Sequence, residues 1–435
     1  MTPSARIAAA IALVADVDAT PRRPADATAN DFFRGRRYIG SGDRRAVAER
    51  AWGVLRQRLR LTWHLEQVGL PARPRQLVMA HLLLVDEWTP DRVDQAFPGG
   101  RFNPPPLDPG ERRAVEALAG RKLASSDMPE AIRLNLPDWA LEPFRARFGA
   151  DLAEEALAMD ASAPLDLRAN LLRGTREEAA AALAAEGINT TMTPWSPWGL
   201  RISDRRPILA SKAFLEGLVE VQDEGSQLIA LLTGAKPGMR VADYCAGAAG
   251  KTLAVAATMA NKGRIVACDV SNTRLEGAVK RLRRAGVDNA ERHLLEQGDR
   301  WVKRRAGQFD RVLVDAPCTG TGTWRRNPDA RLRTTPRDVM ELAAKQQDIL
   351  DTTAGLVAKG GRLVYATCSV LPEENVAQVE GFLARHPEYE TVPFAQAWAD
   401  VSDAPPPEVE GPFMQLSPHR HGTDGFFTAV LQRRA

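Results

Sequence analysis

Apolar residues recur at helical spacing through Ser4–Val17, Arg44–Gln67, Arg75–Val85 and Pro109–Ala119, which predicts a helical region over residues 1–125. Within it, Phe97–Pro106 has the glycines and prolines of a loop. Over residues 126–222 the pattern changes. Leu165–Leu172 alternates as a strand does, Thr175 with Glu178 forms a helix-opening capping box, and Gly187 closes that helix after Glu186. Trp195 and Trp198 follow among short polar and proline residues, so this part reads as a small α+β subdomain. Over residues 223–435, strands at Arg240–Tyr244, Gly263–Cys268, Phe309–Val314, Gly361–Thr367 and Gly425–Leu431 alternate with helices. The helices are expected up to Met259, over Thr273–Ala285, over Asp338–Ala358 and over Glu373–Ala384. That rhythm predicts an α/β fold, a doubly wound, Rossmann-like and mostly parallel sheet, with ligands beyond the carboxyl ends of its strands.

Composition changes this picture little. The chain has 435 residues, 44% apolar and 26% charged, as in a water-soluble globular protein of two or three domains. No apolar run is long enough to cross a membrane and no leader pattern opens the chain, so a cytoplasmic location is expected, with a monomer as the default. A net charge of +3 excludes a polycation. The arginines are nonetheless grouped: Arg44, Arg45, Arg50, Arg56, Arg58 and Arg60; Arg281, Arg283 and Arg284; Lys303, Arg304 and Arg305; Arg325, Arg326, Arg331 and Arg333. Each group fits phosphate neutralisation and fits a solvated helix face equally well. Four cysteines without a CxxC pair, and six histidines, predict neither a zinc site nor a disulfide framework.

Chemistry concentrates in four places. Asp243–Thr252 reads Asp-Tyr-Cys-Ala-Gly-Ala-Ala-Gly-Lys-Thr after a strand and at the start of a helix. A phosphate-binding loop would need glycine where Cys245 stands, so that reading fails at one essential position. A turn cradling the methionine end of a methyl donor remains, as does a plain small-residue turn. Asp269, at the tip of the second strand, suits a ribose diol. Asp299, in Gln297-Gly-Asp299, suits an adenine amino group or an ordinary turn. Asp315-Ala-Pro-Cys318 and Thr367-Cys368-Ser369 each close an apolar strand, and adjacent parallel strands would place both thiols in one cleft. Two thiols, a carboxylate and a sulfonium donor suit methylation of cytosine C5. A thiolate adding at C6 makes C5 nucleophilic, and a carboxyl group at N3 assists. The target base must be unpaired or extruded.

With these residues in view, the sequence resembles the NOP/Sun family of RNA cytosine-C5 methyltransferases, of the bacterial ribosomal-RNA type. The resemblance covers roughly Pro164–Arg434. It includes Phe214-Leu-Glu-Gly217, Val221-Gln-Asp-Glu-Gly-Ser226, the loop, both cysteine motifs and Thr423-Asp-Gly-Phe-Phe427. It implies a class I methyltransferase domain that uses S-adenosylmethionine. Cys368 would be the nucleophile, Cys318 the residue that assists breakdown of the adduct, and Asp315 a contact to the target base. The donor would be held by Cys245, Ala246, Gly247, Ala248, Ala249, Gly250, Lys251, Asp269, Asp299 and Asp315. It further implies an antitermination-factor-like RNA-binding domain over residues 1–125 and an RNA-recognition-like subdomain over 126–222. The partner is then RNA, with 16S ribosomal RNA expected and transfer RNA the alternative; no metal and no membrane are expected. The family's loop usually reads Cys-Ala-Ala-Pro-Gly-Gly-Lys, and here Ala248 and Ala249 replace its proline and first glycine. A positive φ at Ala249 would cost of order 1 kcal/mol. That departure motivates a second reading, an RNA-binding assembly factor with vestigial catalysis. A nucleotide hydrolase using Lys251 is disfavoured by Cys245.

Overall fold

The structure, a computed structural model, describes residues 1–203, 207–296 and 299–435. The chain forms two compact units, Met1–Ser162 with Trp324–Thr335, and Ala163–Thr323 with Pro336–Ala435.

The first unit is helical. Helices Pro3–Asp18, Ser41–Arg56, Arg58–Gln67, Pro74–Leu84 and Pro109–Leu118 bury one continuous set of apolar side chains, among them Leu13, Val47, Leu61, Leu77, Val78 and Leu118. Sequence periodicity predicts one helix from Arg44 to Gln67, but it breaks at Gln57. The carbonyl of Arg56, which an uninterrupted helix would bond to the amide of residue 60, instead accepts from Asn135 Nδ2 at 2.7 Å and Arg331 Nη1 at 3.3 Å. Further helices at Glu130–Arg133, Asp138–Phe148 and Leu152–Asp160 belong to this unit. So does the segment Trp324–Thr335, which leaves and re-enters the second unit's chain. Its Trp324 is fully buried, stacked on Phe144 with ring centroids 5.2 Å apart. Its Arg331 reaches Asp160 Oδ1 at 2.9 Å, while Arg60 reaches Asp160 Oδ2 at 2.6 Å. A buried carboxylate shared by two guanidinium groups is tolerated because each of its oxygens has a donor, Oδ1 accepting from Asn135 as well.

The second unit carries two sheets. Strands β1 (Leu165–Ala169), β2 (Thr190–Met192), β3 (Gly199–Ile202) and β4 (Val219–Val221) form an antiparallel sheet in the order β2-β3-β1-β4. The helix Arg176–Ala185 has the expected capping box between Thr175 and Glu178, and Gly187 follows at φ 75°. The larger sheet comprises β5 (Arg240–Asp243), β6 (Arg264–Asp269), β7 (Ala290–Leu294), β8 (Phe309–Asp315), β9 (Val357–Thr367), β10 (Tyr389–Val392), β11 (Met414–Leu416) and β12 (Phe426–Arg433). Its order is β10-β12-β9-β8-β5-β6-β7, with β11 also on β12. The strands from β9 to β7 are parallel, and those around β12 are antiparallel. Strand order reverses between β5 and β8, the position where doubly wound sheets open a ligand crevice. The long helix ends at Ala354 rather than Ala358, because Gly355 releases the chain and Val357 already pairs with Phe309.

Candidate active site and donor cavity

At the crevice β5 ends on Asp243, and the chain turns through Ala249 into the helix Gly250–Thr258. Burial raises the Asp243 carboxyl to about 7, against the opposing hydrogen bond that Thr252 Oγ1 donates to it at 2.6 Å. Ala249 caps the helix in the left-handed region, φ 62° and ψ 28°, with no exposed surface. That conformation costs an alanine about 1–2 kcal/mol. Arginines hold the peptides on either side of it. Arg281 donates to the Ala248 carbonyl at 2.7 Å, and Arg168 to the Gly250 carbonyl at 3.1 Å. Arg168 comes from β1, is buried, and also binds Gln222 at 2.8 Å. Its pKa falls to about 10 through burial. Glu220 of β4 pairs with Arg281 at 3.5 Å and with Arg284 at 2.5 Å. The small sheet therefore braces the loop from behind.

A cavity of about 660 Å³ opens beside this turn. Cys245, Ala246, Gly247, Ala248, Asp269 and Asp315 line it, as do Glu296, Pro317 and Lys345. Ala249, Gly250, Lys251 and Asp299 are not among its lining residues. Asp269 is oriented by Gly247 N at 2.9 Å and Ser271 N at 2.8 Å, with lone pairs left for a diol. Val270, Leu295 and Ile349 supply apolar walls. Acceptors, apolar walls and a small-residue turn fit a nucleoside bearing a cationic tail. Asp299 instead bonds His293 Nε2 at 2.6 Å, which lowers its pKa, and accepts from Trp301 N at 2.8 Å. Its neighbours Gln297 and Gly298 lie outside the described residues. Lys251 ion-pairs with Asp315 at 2.6 Å. Burial works against the Lys251 ammonium, but the attraction and hydrogen bond of Asp315 outweigh it and raise its pKa. Burial pushes the Cys245 thiol up.

Strands β8 and β9 are parallel neighbours, and the loops after them bring Cys318 Sγ and Cys368 Sγ to 3.3 Å. The Cys318 thiol is held well above its ordinary value by its hydrogen bond to Cys368, by burial, and by Cys368 and Glu374 nearby. Glu374 is fully buried and accepts from Thr319 N at 2.9 Å, Thr319 Oγ1 at 2.5 Å and Gln346 Nε2 at 3.0 Å. Asn375 Nδ2 donates to the Ser369 carbonyl at 2.9 Å, and Gly322 N to the Cys368 carbonyl at 3.0 Å. Both cysteine loops are thus tied to one short turn, Pro372–Glu374, and its successor. Sequence reasoning missed Glu374, Gln346, Arg168 and Arg281 as site-building residues. By sequence Glu374 is only an acid near the start of the expected helix Glu373–Ala384, although Glu-Glu-Asn following Thr-Cys-Ser is the available signal.

Fold and site define a methyltransferase of the Rossmann-like type, with a donor cavity adjoining a two-thiol cleft. Residues 230–432 match the family described as 16S rRNA methyltransferase RsmB/F, and residues 136–209 match the family's ferredoxin-like domain. The chain is 36% identical over 304 residues to a probable ribosomal RNA small subunit methyltransferase B of Synechocystis, covering 69% of this chain and 67% of that one. It is 30% identical over 414 residues to ribosomal RNA small subunit methyltransferase B of Escherichia coli, covering 91% and 92%. The solved structure of PH0851 superposes with a TM-score of 0.78 at 24% identity, over 100% of this chain and 99% of that one. The chain belongs to the RsmB/F family of S-adenosylmethionine-dependent rRNA methyltransferases, within the NOP/Sun group. Among the described residues no helix is long and apolar enough to cross a membrane, and no group of side chains is arranged to hold a metal.

Proposed function

We propose that the protein methylates C5 of a cytosine in 16S ribosomal RNA, in the cytoplasm, through a covalent adduct on Cys368. The observation that carries this reading is the pair of thiols 3.3 Å apart, one of which, Cys318, directly follows Pro317, a lining residue of the cavity together with Asp315 of the same loop. S-adenosylmethionine, when bound, supplies an electrophilic methyl group. Cys245 to Lys251, Asp269, Asp299 and Asp315 are the proposed donor-holding set, directly or through the turn they form. The Cys368 thiolate adds to C6 of an extruded cytosine, and the electron pair displaced from the C5–C6 bond makes C5 the nucleophile. Asp315, kept in place by Lys251, contacts the base at its N3 edge through a proton held between the carboxylate and N3. After methylation solvent water takes the C5 proton, the electron pair of that C–H bond re-forms the C5–C6 double bond, and the C6–S bond breaks to release the Cys368 thiolate. A Cys318 thiol that keeps its proton at neutral pH is suited to assist this release.

The test is trapping on 5-fluorocytidine RNA in the presence of donor. Wild type is expected to form a denaturant-stable complex, Cys368→Ala none, and Cys318→Ala an adduct with ordinary RNA that does not turn over. Retention of the complex by Cys368→Ala, with its loss in Cys318→Ala, would reverse the two roles. Bisulfite sequencing of total RNA from a deletion strain locates the cytosine.

A further inference from the structure

Most arginines of the helical unit are consumed by its own fold: Arg58 pairs with Asp18, and Arg60 and Arg331 with Asp160. A different part of that unit is built for an external partner. A groove of about 560 Å³ runs along the alanine face of helix Pro3–Asp18 and is lined by Arg36, Tyr38, Arg101 and Phe102. Tyr38 is 76% exposed and Phe102 70%, and the two rings share one groove, so together they form an open apolar patch rather than scattered exposures. Tyr38 sits in the turn between helices Ala25–Gly35 and Ser41–Arg56. Phe102 sits in the loop after Gly99 and Gly100, whose φ values of 77° and 93° let the chain double back to a bond from Gly99 N to the Pro104 carbonyl. Arg101 lies 5.1 Å over the Phe102 ring and Arg36 lies 3.8 Å over the buried Phe32 ring. A second hollow, using the same turn, is lined by Phe33, Arg34, Arg37 and Arg44. Among the described lining residues of both hollows none is acidic, and neither Arg37 nor Arg101 has a carboxylate partner among the described residues.

Arg34 and Arg36 pair with Asp31 and Asp16, which leaves Arg37 and Arg101 free for a ligand among the described residues. Two open aromatic faces beside these two guanidinium groups match one ligand chemistry best. Unpaired nucleobases stack on aromatic rings whatever their sequence, and the cations track the intervening phosphates. A duplex offers the cations its phosphates but hides its base faces. Protein interfaces also favour Tyr, Phe and Arg; what sets this strip apart is two guanidinium groups, Arg37 and Arg101, with no carboxylate among the residues lining the hollows.

We propose that this strip of the helical unit is a platform for single-stranded RNA, with bases stacked on Tyr38 and Phe102 and phosphates held by Arg37 and Arg101. The proposal rests on the reading that RNA is the substrate, and adds where, and in which form, an RNA segment away from the target base is gripped.

The full-length chain is titrated into a fluorescent single-stranded RNA oligomer and into the same strand annealed to its complement. Tyr38→Ala and Phe102→Ala are each expected to weaken single-strand binding at least fivefold, with duplex binding unchanged within twofold, and Tyr38→Phe to bind as wild type does. Arg37→Ala and Arg101→Ala are each expected to reduce the slope of log affinity against log salt by about one, or somewhat less for a single strand. Both aromatic residues are exposed, so the melting profile should stay that of wild type, and an altered profile in Tyr38→Ala is checked against Tyr38→Phe. Wild-type affinity in both alanine variants overturns the proposal, as does equal loss on single strand and duplex. So does a change of sedimentation without a change in RNA affinity, which would mark a protein-docking groove. Failure of the unaltered chain to bind any RNA would instead refute the substrate reading beneath it.

Discussion

Replacing Arg281 by alanine should weaken donor binding although Arg281 is not itself among the residues that line the donor cavity. Arg281 Nη1 donates to the Ala248 carbonyl at 2.7 Å, next to the residue held at φ 62°. The left-handed alanine stores about 1–2 kcal/mol that a relaxed loop would release. A hydrogen bond from a charged donor contributes about 1.5–3 kcal/mol when buried. The Arg281 side chain is 27% exposed, so water recovers part of it and the net loss is about 1–1.5 kcal/mol. Glu220 keeps Arg284 as its partner, so no orphaned carboxylate adds to the loss. Arg168 still holds the Gly250 carbonyl. The expected result is a donor dissociation constant raised about five- to tenfold, read by calorimetry with S-adenosylhomocysteine, with kcat at saturating donor unchanged. Ala249→Gly removes the strain, so in that background Arg281→Ala should matter less, and a double-mutant cycle would show coupling. An affinity within twofold of wild type, or a fall in kcat with KM unchanged, would refute the argument that arginines hold a strained loop.

Two other outcomes are expected. Glu374→Ala leaves the Thr319 amide without its acceptor and Gln346 with only the Pro317 carbonyl. Hydrogen exchange in the peptide around Cys318 should rise about tenfold or more and turnover fall, while donor affinity stays within twofold, because Glu374 is outside the donor cavity. Wild-type exchange and turnover would show that Glu374 does not organise the loop. Asp243 has a folded pKa of about 7 against 3.8 ordinarily, so between about pH 4 and 7 the folded chain holds a proton that the unfolded chain releases. Stability therefore falls as pH rises through that window, and Asp243→Asn should gain on wild type across it; a pH-independent difference in melting temperature would sink this.

The parallel sheet was legible in β5, β6, β8 and β9, whose apolar residues run to Asp243, Asp269, Asp315 or Thr367, but not in β7, which reads Ala-Glu-Arg-His-Leu; the capping box at Thr175 marked the start of its helix to the residue. The two thiols were legible because each follows such a strand. What periodicity could not show was the destination of charge. Arg331 stood in a group read as phosphate-binding or solvated, yet it is buried against Asp160, a partner 171 residues away in sequence. Arg168 lay in an alternating strand, where an inward arginine and an outward one look alike until Gly250 and Gln222 close around it. The break at Gln57 was invisible for the same reason, since Asn135 and Arg331 claim the carbonyl that propensity assigns to the helix. Asp299 illustrates the converse, a candidate ligand by spacing whose bonds to His293 and Trp301 the spacing did not foretell.

The segment Trp324–Thr335 dictates an order of events during synthesis. The helical unit has most of its chain out of the ribosome once Ser162 has emerged, yet Phe144 then has no Trp324 to stack on and Asp160 only one of its two arginines. Its core can be completed only after the strands β5 to β8 and the Cys318 loop have been made. A domain that would otherwise fold first, as N-terminal domains generally do, must wait for a piece delivered from the middle of its neighbour. Neither unit can be removed by a single cut without leaving the other with a torn surface or a broken catalytic loop.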